Sequence, residues 1–282
     1  LFKHDRKDGK YVSSVNDLNK FVPFLAPGRI ESQLYWNITL DVRKMQEYIK
    51  NKKAEGLSVN FNSAVIAAIV RMVAMRPHIN RFIVGKKVYQ RRTVDIGHIG
   101  MIEFSDTSLR VVDTASFEPS ADIGEVSTEI KEQVRIMKSG EITGSNRQIS
   151  HYADKPWWYV RTAIGAMKLL HRLDMAPRSK TDKDPFRSTV FVSNLGSIGC
   201  IPPFHHLLEW GTNSVFICIG KIYDKVVPDT DGKITVAPTV DLTLTVDDRI
   251  TDGRYFATCI QTLRDIFDDP GCLDRRYTPE EL

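Results

Sequence analysis

Residues 246 to 254 read VDDRITDGR and place three carboxylates, Asp247, Asp248 and Asp252, in one short turn. The stretch before it, TVDLTLT, alternates as a strand does, and the stretch after it, YFATCIQTLRDIF, carries apolar groups at helical spacing. Three acids therefore meet where a strand gives way to a helix. Such a turn can accept protons, hold a hard cation, or simply start the helix. As an N-cap, Asp252 would accept a backbone N–H, and the helix dipole favours acids at this end by about 1 kcal/mol or less. Asp247 or Asp248 can also pair with Arg249 or Arg254. A metal fits least well: the Asp-x-Asp-x-Asp-Gly spacing of a calcium loop and its distal Glu are both missing. Judged on this turn alone, the structural readings outweigh catalysis.

The elements that would position these acids can be read outward from the turn. QLYWNITLDV sets Leu34, Trp36, Ile38, Leu40 and Val42 on one face of a strand, and Asp41 can begin the helix that Gly56 ends. Asn62 is placed to cap the next helix, SAVIAAIVRMVAMR, which is apolar nearly all round and so should be buried on most sides. GKKVYQRR, VDIGHIGMIEF and SLRVVDTAS read as strands. ADIGEVSTEIKEQVRIMKSGE and WWYVRTAIGAMKLLHRLDM read as helices. STVFVSNLG, NSVFICIGKI and KITVAPTVDLTLTV are strands, with PDTDGK as a hairpin turn, and a final helix runs over 253–268 before Pro270. The first residues, with FVPFLAPGR, read as an arm, and the loop from Ser139 to Trp157 reads as an insertion. Hairpins alternating with helical crossovers predict a mixed sheet with packed helices.

Composition narrows the class. The 282 residues are 42% hydrophobic and 26% charged with a net charge of +4, ordinary for a globular chain and too evenly spread to argue for nucleic acid. No apolar run of membrane-spanning length occurs. Cys200, Cys218, Cys259 and Cys272 form no CxxC pair, and most lie in apolar periodic segments, as reduced buried thiols do. A reducing compartment is expected, the cytoplasm, or the mitochondrial matrix in a eukaryote. No GxGxxG, GxxxxGK[ST] or GxSxG is present.

From about Val22 to Leu273 the sequence resembles the catalytic domain of the dihydrolipoyl acyltransferases, the core subunits of 2-oxoacid dehydrogenase complexes. RPHINRFIVGKKVYQRRTVDIG, STVFVSNLGSIG, SVFICIGKI and the long stretch from Gly232 to Pro270 carry the likeness, in the family's order. The resemblance implies an α/β fold (α+β, two-layer) of the chloramphenicol acetyltransferase type, with an arm at 1–21 and an acyltransferase-like domain at 22–282. The family's upstream lipoyl and peripheral-subunit-binding domains have no counterpart in this sequence.

The family's signature at the turn is Asp-His-Arg-x-x-Asp-Gly. Asp247, Arg249, Asp252 and Gly253 match it, and Asp248 stands where the His belongs. In the family that His is the general base that takes the thiol proton of coenzyme A or dihydrolipoamide. By the resemblance, Asp252 holds the turn together and Ser193 corresponds to an oxyanion-binding hydroxyl. An Asp is a poor substitute base: a thiol at about 8.5 and an Asp at about 3.9 leave the transfer uphill by roughly 6 kcal/mol. His205 and His206 are the candidate replacements; His98, mid-strand, and His171, on a helix, have no reason to reach the turn. Two readings follow. One is a non-catalytic scaffold or binding subunit of 2-oxoacid dehydrogenase type. The other is an active coenzyme A-dependent acyltransferase with an unusual base. No cofactor is required on this reading; coenzyme A or acyl-coenzyme A is the candidate ligand, with no metal. The family's assembly implies a homotrimer, with larger cores and other complex subunits as further partners, and neither nucleic acid nor membrane. The charged tail after Pro270 differs from the apolar ending that builds cages in the family.

Overall fold

The computed structural model describes residues 4–101, 110–139, 150–181, 184–228 and 232–278. In chain order the main elements are β1 (Lys10–Tyr11), α1 (Asp17–Leu25), β2 (Gln33–Asp41), α2 (Arg43–Ala54) and α3 (Phe61–Met75). Then come β3 (Arg81–Val84), β4 (Lys87–Gln90), β5 (Val94–Met101), β6 (Arg110–Phe117), α4 (Ile123–Lys138) and α5 (Trp157–Arg172). The chain closes with β7 (Val190–Asn194), β8 (Val215–Pro228), β9 (Ile234–Asp247) and α6 (Gly253–Asp268).

Six strands form one mixed sheet in the order β2-β9-β8-β7-β5-β6, parallel only at β8–β7 and β7–β5. Each parallel pair needs a crossover, which is why helices and long loops separate those strands in sequence. The other three strands make a small antiparallel sheet, β1-β4-β3. Period-2 alternation then decides the layers. Ile38, Leu40, Leu242, Leu244 and Val246 are buried on the face that α2, α3, α4 and α6 cover, where the principal core lies. Phe191, Phe216 and Cys218 point to the opposite face and form a smaller cluster with Val112 and Leu207.

The helix that is apolar all round is buried from Ser63 through Val73, as its composition requires. Its N-cap is Asn60 rather than Asn62. Asn60 Oδ1 accepts the Ser63 N–H at 2.9 Å while Ser63 Oγ accepts the Asn60 N–H at 3.0 Å, a reciprocal capping box that Asn62 has no partner residue to make. Helix α2 starts one residue later than the sequence suggests, at Arg43 with Val42 as its N-cap, although Asp41 Oδ1 still accepts the Arg43 N–H at 2.9 Å. The stretch read as an arm carries structure of its own: β1 pairs with β4, and Asn16 caps α1. No clear sequence pattern marks this stretch, because α1 contains Pro23 and leaves Leu18, Phe21, Phe24 and Leu25 exposed. Pro238, which interrupts the alternation of β9, sits opposite Asp224 without ending the strand. The tip of the β5–β6 hairpin and most of the expected insertion after Ser139 fall outside the described residues. Among the described residues no helix is long and apolar enough to cross a membrane, and no disulfide forms; Cys218 and Cys259 are buried and Cys200 is exposed.

Candidate functional site

The acid turn leaves the end of β9 and enters α6, so its three carboxylates have three different neighbourhoods. Asp247 is the last ladder residue, opposite Gln33, and is fully buried. Its Oδ1 accepts Arg249 Nε at 2.8 Å and its Oδ2 accepts Arg249 Nη2 at 2.7 Å, with the Arg249 backbone N–H adding a third bond. Arg249 is itself buried and donates through Nη1 to Pro27 O at 2.9 Å. This pair therefore ties the turn to the segment after α1.

Asp252 is the N-cap of α6: its Oδ1 accepts the Tyr255 N–H at 2.8 Å, and the side chain is exposed. Its role here is that of a helix start, as the plain reading of the sequence allows. Gly253 is the first residue of the helix. A Cβ placed there would meet nothing within 4 Å, so packing within the chain does not demand glycine.

Asp248 is half-buried, and its backbone N–H donates to Ser32 O at 3.0 Å. Its Oδ1 is buried without a hydrogen-bond partner among the described residues. Burial, and then the Asp247 carboxylate beside it, push its carboxyl above the usual carboxylate range, against the opposing pull of Arg249. It is the one acid of the three whose carboxylate is not already engaged in holding the turn.

Ser193 and Asn194 end β7. The Asn-Leu-Gly that follows has a structural account. Asn194 Oδ1 accepts the Gly196 N–H at 3.0 Å, Asn194 Nδ2 donates to Asn62 Oδ1 at 3.0 Å, and the Leu195 N–H reaches Ile219 O at 2.9 Å. A Cβ on Gly196 would meet Gly220 O at 2.6 Å, so only glycine lets the two backbones approach this closely. Ser193 is not brought to the acid turn. It pairs with Cys218, and Cys218 pairs with Thr243, four residues short of Asp247. Two strand spacings of about 4.8 Å and four residues of about 3.3 Å put Ser193 on the order of 16 Å from the turn within one chain.

The candidate replacement bases are engaged in stacking, in a segment whose Leu207 N–H donates at 2.7 Å to Oε1 of Gln33, the ladder partner of Asp247. His205 stacks on Phe216 at 4.1 Å between ring centres and on His206 at 4.7 Å, and its Nδ1 lies 2.8 Å from His206 O. The two rings extend the aromatic stack of Phe186, Phe191 and Phe216 over the outer face of the sheet. His98 and His171 lie elsewhere, as expected. His98 has both ring nitrogens buried and unpartnered among the described residues, and His171 Nε2 contacts Asp8 at 3.1 Å.

A histidine not singled out by the sequence does lie beside the turn. His78, just after α3, stacks on Tyr255 at 4.4 Å with the rings 15° apart, and its backbone N–H donates to Tyr255 Oη at 3.1 Å. Burial and Arg81 push its imidazole down to about 4, with Asp252 pulling the other way. It is neutral at pH 7 and free to accept a proton, but it is a weak acceptor. The sequence offers no signal for this juxtaposition, because His78 and Tyr255 are far apart along the chain. Among the described residues no cluster of His, Cys, Asp or Glu could hold a metal ion.

The six-stranded mixed sheet with helices packed on its core face is a chloramphenicol acetyltransferase-like fold. Chloramphenicol acetyltransferase itself superposes with a TM-score of 0.51 at 12% identity, over 92% of this chain and 99% of that one. Closer in shape is the cubic core of the pyruvate dehydrogenase multienzyme complex, with a TM-score of 0.61 at 13% identity over 94% of each chain. The Azotobacter vinelandii dihydrolipoamide acetyltransferase, in which a serine, a histidine and an asparagine were investigated for their role in the catalytic mechanism, gives a TM-score of 0.60 at 14% identity over 94% of each chain. At these identities the likeness is one of fold. In sequence, the family model of the 2-oxoacid dehydrogenases acyltransferase (catalytic domain) matches residues 174–273, the stretch that holds Ser193, the acid turn and α6. No curated protein matches the chain.

Proposed function

We propose that this chain is an acyltransferase-fold core subunit of 2-oxoacid dehydrogenase type that acts as a scaffold or binding subunit, its turn having lost the general base. The observation that carries this reading is Asp248. In the Azotobacter vinelandii enzyme the histidine and asparagine investigated stand four positions apart, the spacing of Asp248 and Asp252 here. Asp252 is spent on capping α6, Asp247 on holding Arg249, and the position that would deprotonate a thiol carries a short carboxylate. His205 and His206 are stacked on Phe216 and on each other, which speaks against either serving as the base within one chain. Loss of a general base typically costs 10²–10⁴-fold in rate.

A homotrimer is part of the proposal. With Ser193 about 16 Å from the turn in one chain, a site that uses both needs a second copy. Large apolar side chains also stand exposed at Ile201, Phe204, Val226, Ile234 and Val236, surface of the kind that subunits cover. Coenzyme A or an acyl-coenzyme A is the proposed ligand, and larger cores or other complex subunits are the proposed partners.

One observation favours the second reading, an active coenzyme A-dependent acyltransferase. Burial and Asp247 raise the Asp248 carboxyl, which narrows its distance from a thiol at about 8.5. The two readings separate in one assay: acetyl transfer from acetyl-coenzyme A to dihydrolipoamide by the native protein and by Asp248→His, side by side. The scaffold reading expects turnover only from the variant. Saturable turnover by the native protein sinks it and turns attention to Asp248 and His78. Silence from both, with no coenzyme A binding at millimolar ligand, sinks the acyl-transfer ancestry of the site as well.

A further inference from the structure

A cavity remote in sequence from the acid turn is lined mainly by charged side chains. It has a volume of about 310 Å³ and lies between the N-terminal stretch, the β4–β5 connection, β6 and the segment after α5. Six arginine and lysine side chains line it against four aspartates, which leaves +2, and burial keeps the bordering His171 imidazole toward its neutral form. Three of the arginines, Arg6, Arg91 and Arg187, are more than nine-tenths buried. Burying that many guanidinium groups costs several kcal/mol each unless acceptors surround them.

Each aspartate of the cavity already accepts at least one hydrogen bond. Asp8 accepts Arg6 Nε at 2.8 Å, and Asp184 accepts Arg187 Nε at 3.2 Å and Trp210 Nε1 at 3.0 Å. Asp95 accepts Thr93 Oγ1 at 2.9 Å, and Asp174 accepts the Lys7 N–H at 3.1 Å. The donors are in surplus. Arg91 Nε, Arg187 Nη1 and Thr114 Oγ1 are buried without a partner among the described residues, and all three residues line this cavity. Among the described residues Arg91 has no carboxylate partner: its Nη2 donates to Thr212 O and Oγ1, and its face lies over the Phe82 ring. At the rim, Arg178 is exposed.

We infer that this cavity binds a small polar phosphate monoester, its phosphate seated among Arg91, Arg187 and Arg178. A phosphate monoester carries close to two negative charges at pH 7 and three acceptor oxygens, which matches both the net +2 and the donor surplus. Arginine forks suit such an oxyanion in geometry as well as charge. The volume falls within the range of small-molecule sites, about 300–1,000 Å³, so it leaves room for an organic group, and the hydroxyls of Thr114, Ser116 and Ser188 suit a polar one. The site does not depend on the acyl-transfer reading, since it shares no residue with the turn.

The test is calorimetric titration of the whole chain at fixed ionic strength with glycerol phosphate, inorganic phosphate and succinate. Glycerol phosphate should bind saturably at one site, inorganic phosphate more weakly, and succinate at least about tenfold more weakly. Arg178→Gln, at the exposed rim, should weaken glycerol phosphate by about tenfold or more. Lys86→Gln, in a different basic cavity, should leave it unchanged. Thermal unfolding without ligand verifies that both variants fold. The assignment is overturned by no saturable binding at concentrations on the order of 10 mM, by succinate binding as tightly as the phosphates, or by equal losses in the two variants. Equal affinity for glycerol phosphate and inorganic phosphate overturns the organic part of it.

Discussion

Asp247 and Arg249, two residues apart, form a buried two-armed ion pair, with Nε–Oδ1 at 2.8 Å and Nη2–Oδ2 at 2.7 Å, while Asp248 between them has one buried oxygen without a hydrogen-bond partner among the described residues. The same three-residue run thus contains the most firmly held charge of the turn and the least. Arg249 directs Nε and Nη2 to the two oxygens of Asp247 and Nη1 to Pro27 O, and among the described residues it makes no hydrogen bond to the Asp248 carboxylate.

The first prediction concerns that pair. Arg249→Met keeps much of the side-chain volume but leaves Asp247, which is fully buried, as an isolated charge. Breaking one side of a buried pair costs about 3–5 kcal/mol. Urea unfolding should show a loss of that size, and it should shrink markedly in Asp247→Asn/Arg249→Met. A loss under about 1 kcal/mol would mean that the pair is not buried in solution.

Asp252 and Gly253 can be separated by stability alone. Asp252→Ala removes the cap on the Tyr255 N–H and should cost about 0.5–2 kcal/mol, with Asp252→Asn close to neutral. Gly253→Ala should stabilise by about 0.4–1 kcal/mol, since the added Cβ meets nothing and the residue is already helical. If Gly253→Ala also abolishes ligand binding by a folded protein, the glycine serves close approach of a ligand rather than the fold.

The strand before the turn, the helix after it and the cap at Asp252 follow from local rules: period 2, period 3.6 and an acid at the junction. So does the burial of α3. What escapes is anything set by contacts distant in sequence. The Asn60–Ser63 box won over Asn62 because reciprocity, not residue type, decides a cap. His78 reached Tyr255, and Ser193 stayed far from the turn, through strand order that no local pattern encodes. His205 and His206 look available in sequence, yet a column of aromatic rings spends them on packing.

Asp248 gives a pH-dependent prediction. Its carboxyl is raised in the folded chain, chiefly by burial. A group whose folded pKa lies above its unfolded value binds protons more readily when native, so its ionisation subtracts stability once pH exceeds the unfolded value of about 3.9. Asp248→Asn should therefore stabilise the chain at pH 7. The gain should fade as pH falls through the raised folded value and vanish below the unfolded one. Denaturation midpoints of the two proteins from pH 3 to 8 measure this. A gain that does not change with pH would place the effect outside ionisation.

The last prediction joins the fold to the assembly. Ser193 and the turn lie too far apart in one chain to act on one thioester, so the proposed site closes only between copies. If Asp248→His restores turnover, adding Ser193→Ala to it should remove an oxyanion donor and cost about 10²–10³ in kcat. Mixing that double variant with native chains, after dissociation and reassembly, then becomes decisive. Native chains are silent and the double variant is slowed about 10²–10³-fold, but a mixed trimer has interfaces where the introduced histidine of one copy faces the Ser193 of its neighbour. Activity should rise on mixing and peak near equal proportions, alongside a trimeric mass by light scattering. A mixture that gains nothing, with trimers confirmed and Asp248→His active by itself, would show that Ser193 and position 248 serve the same chain, and the distance between them would have to close by rearrangement of the sheet edge.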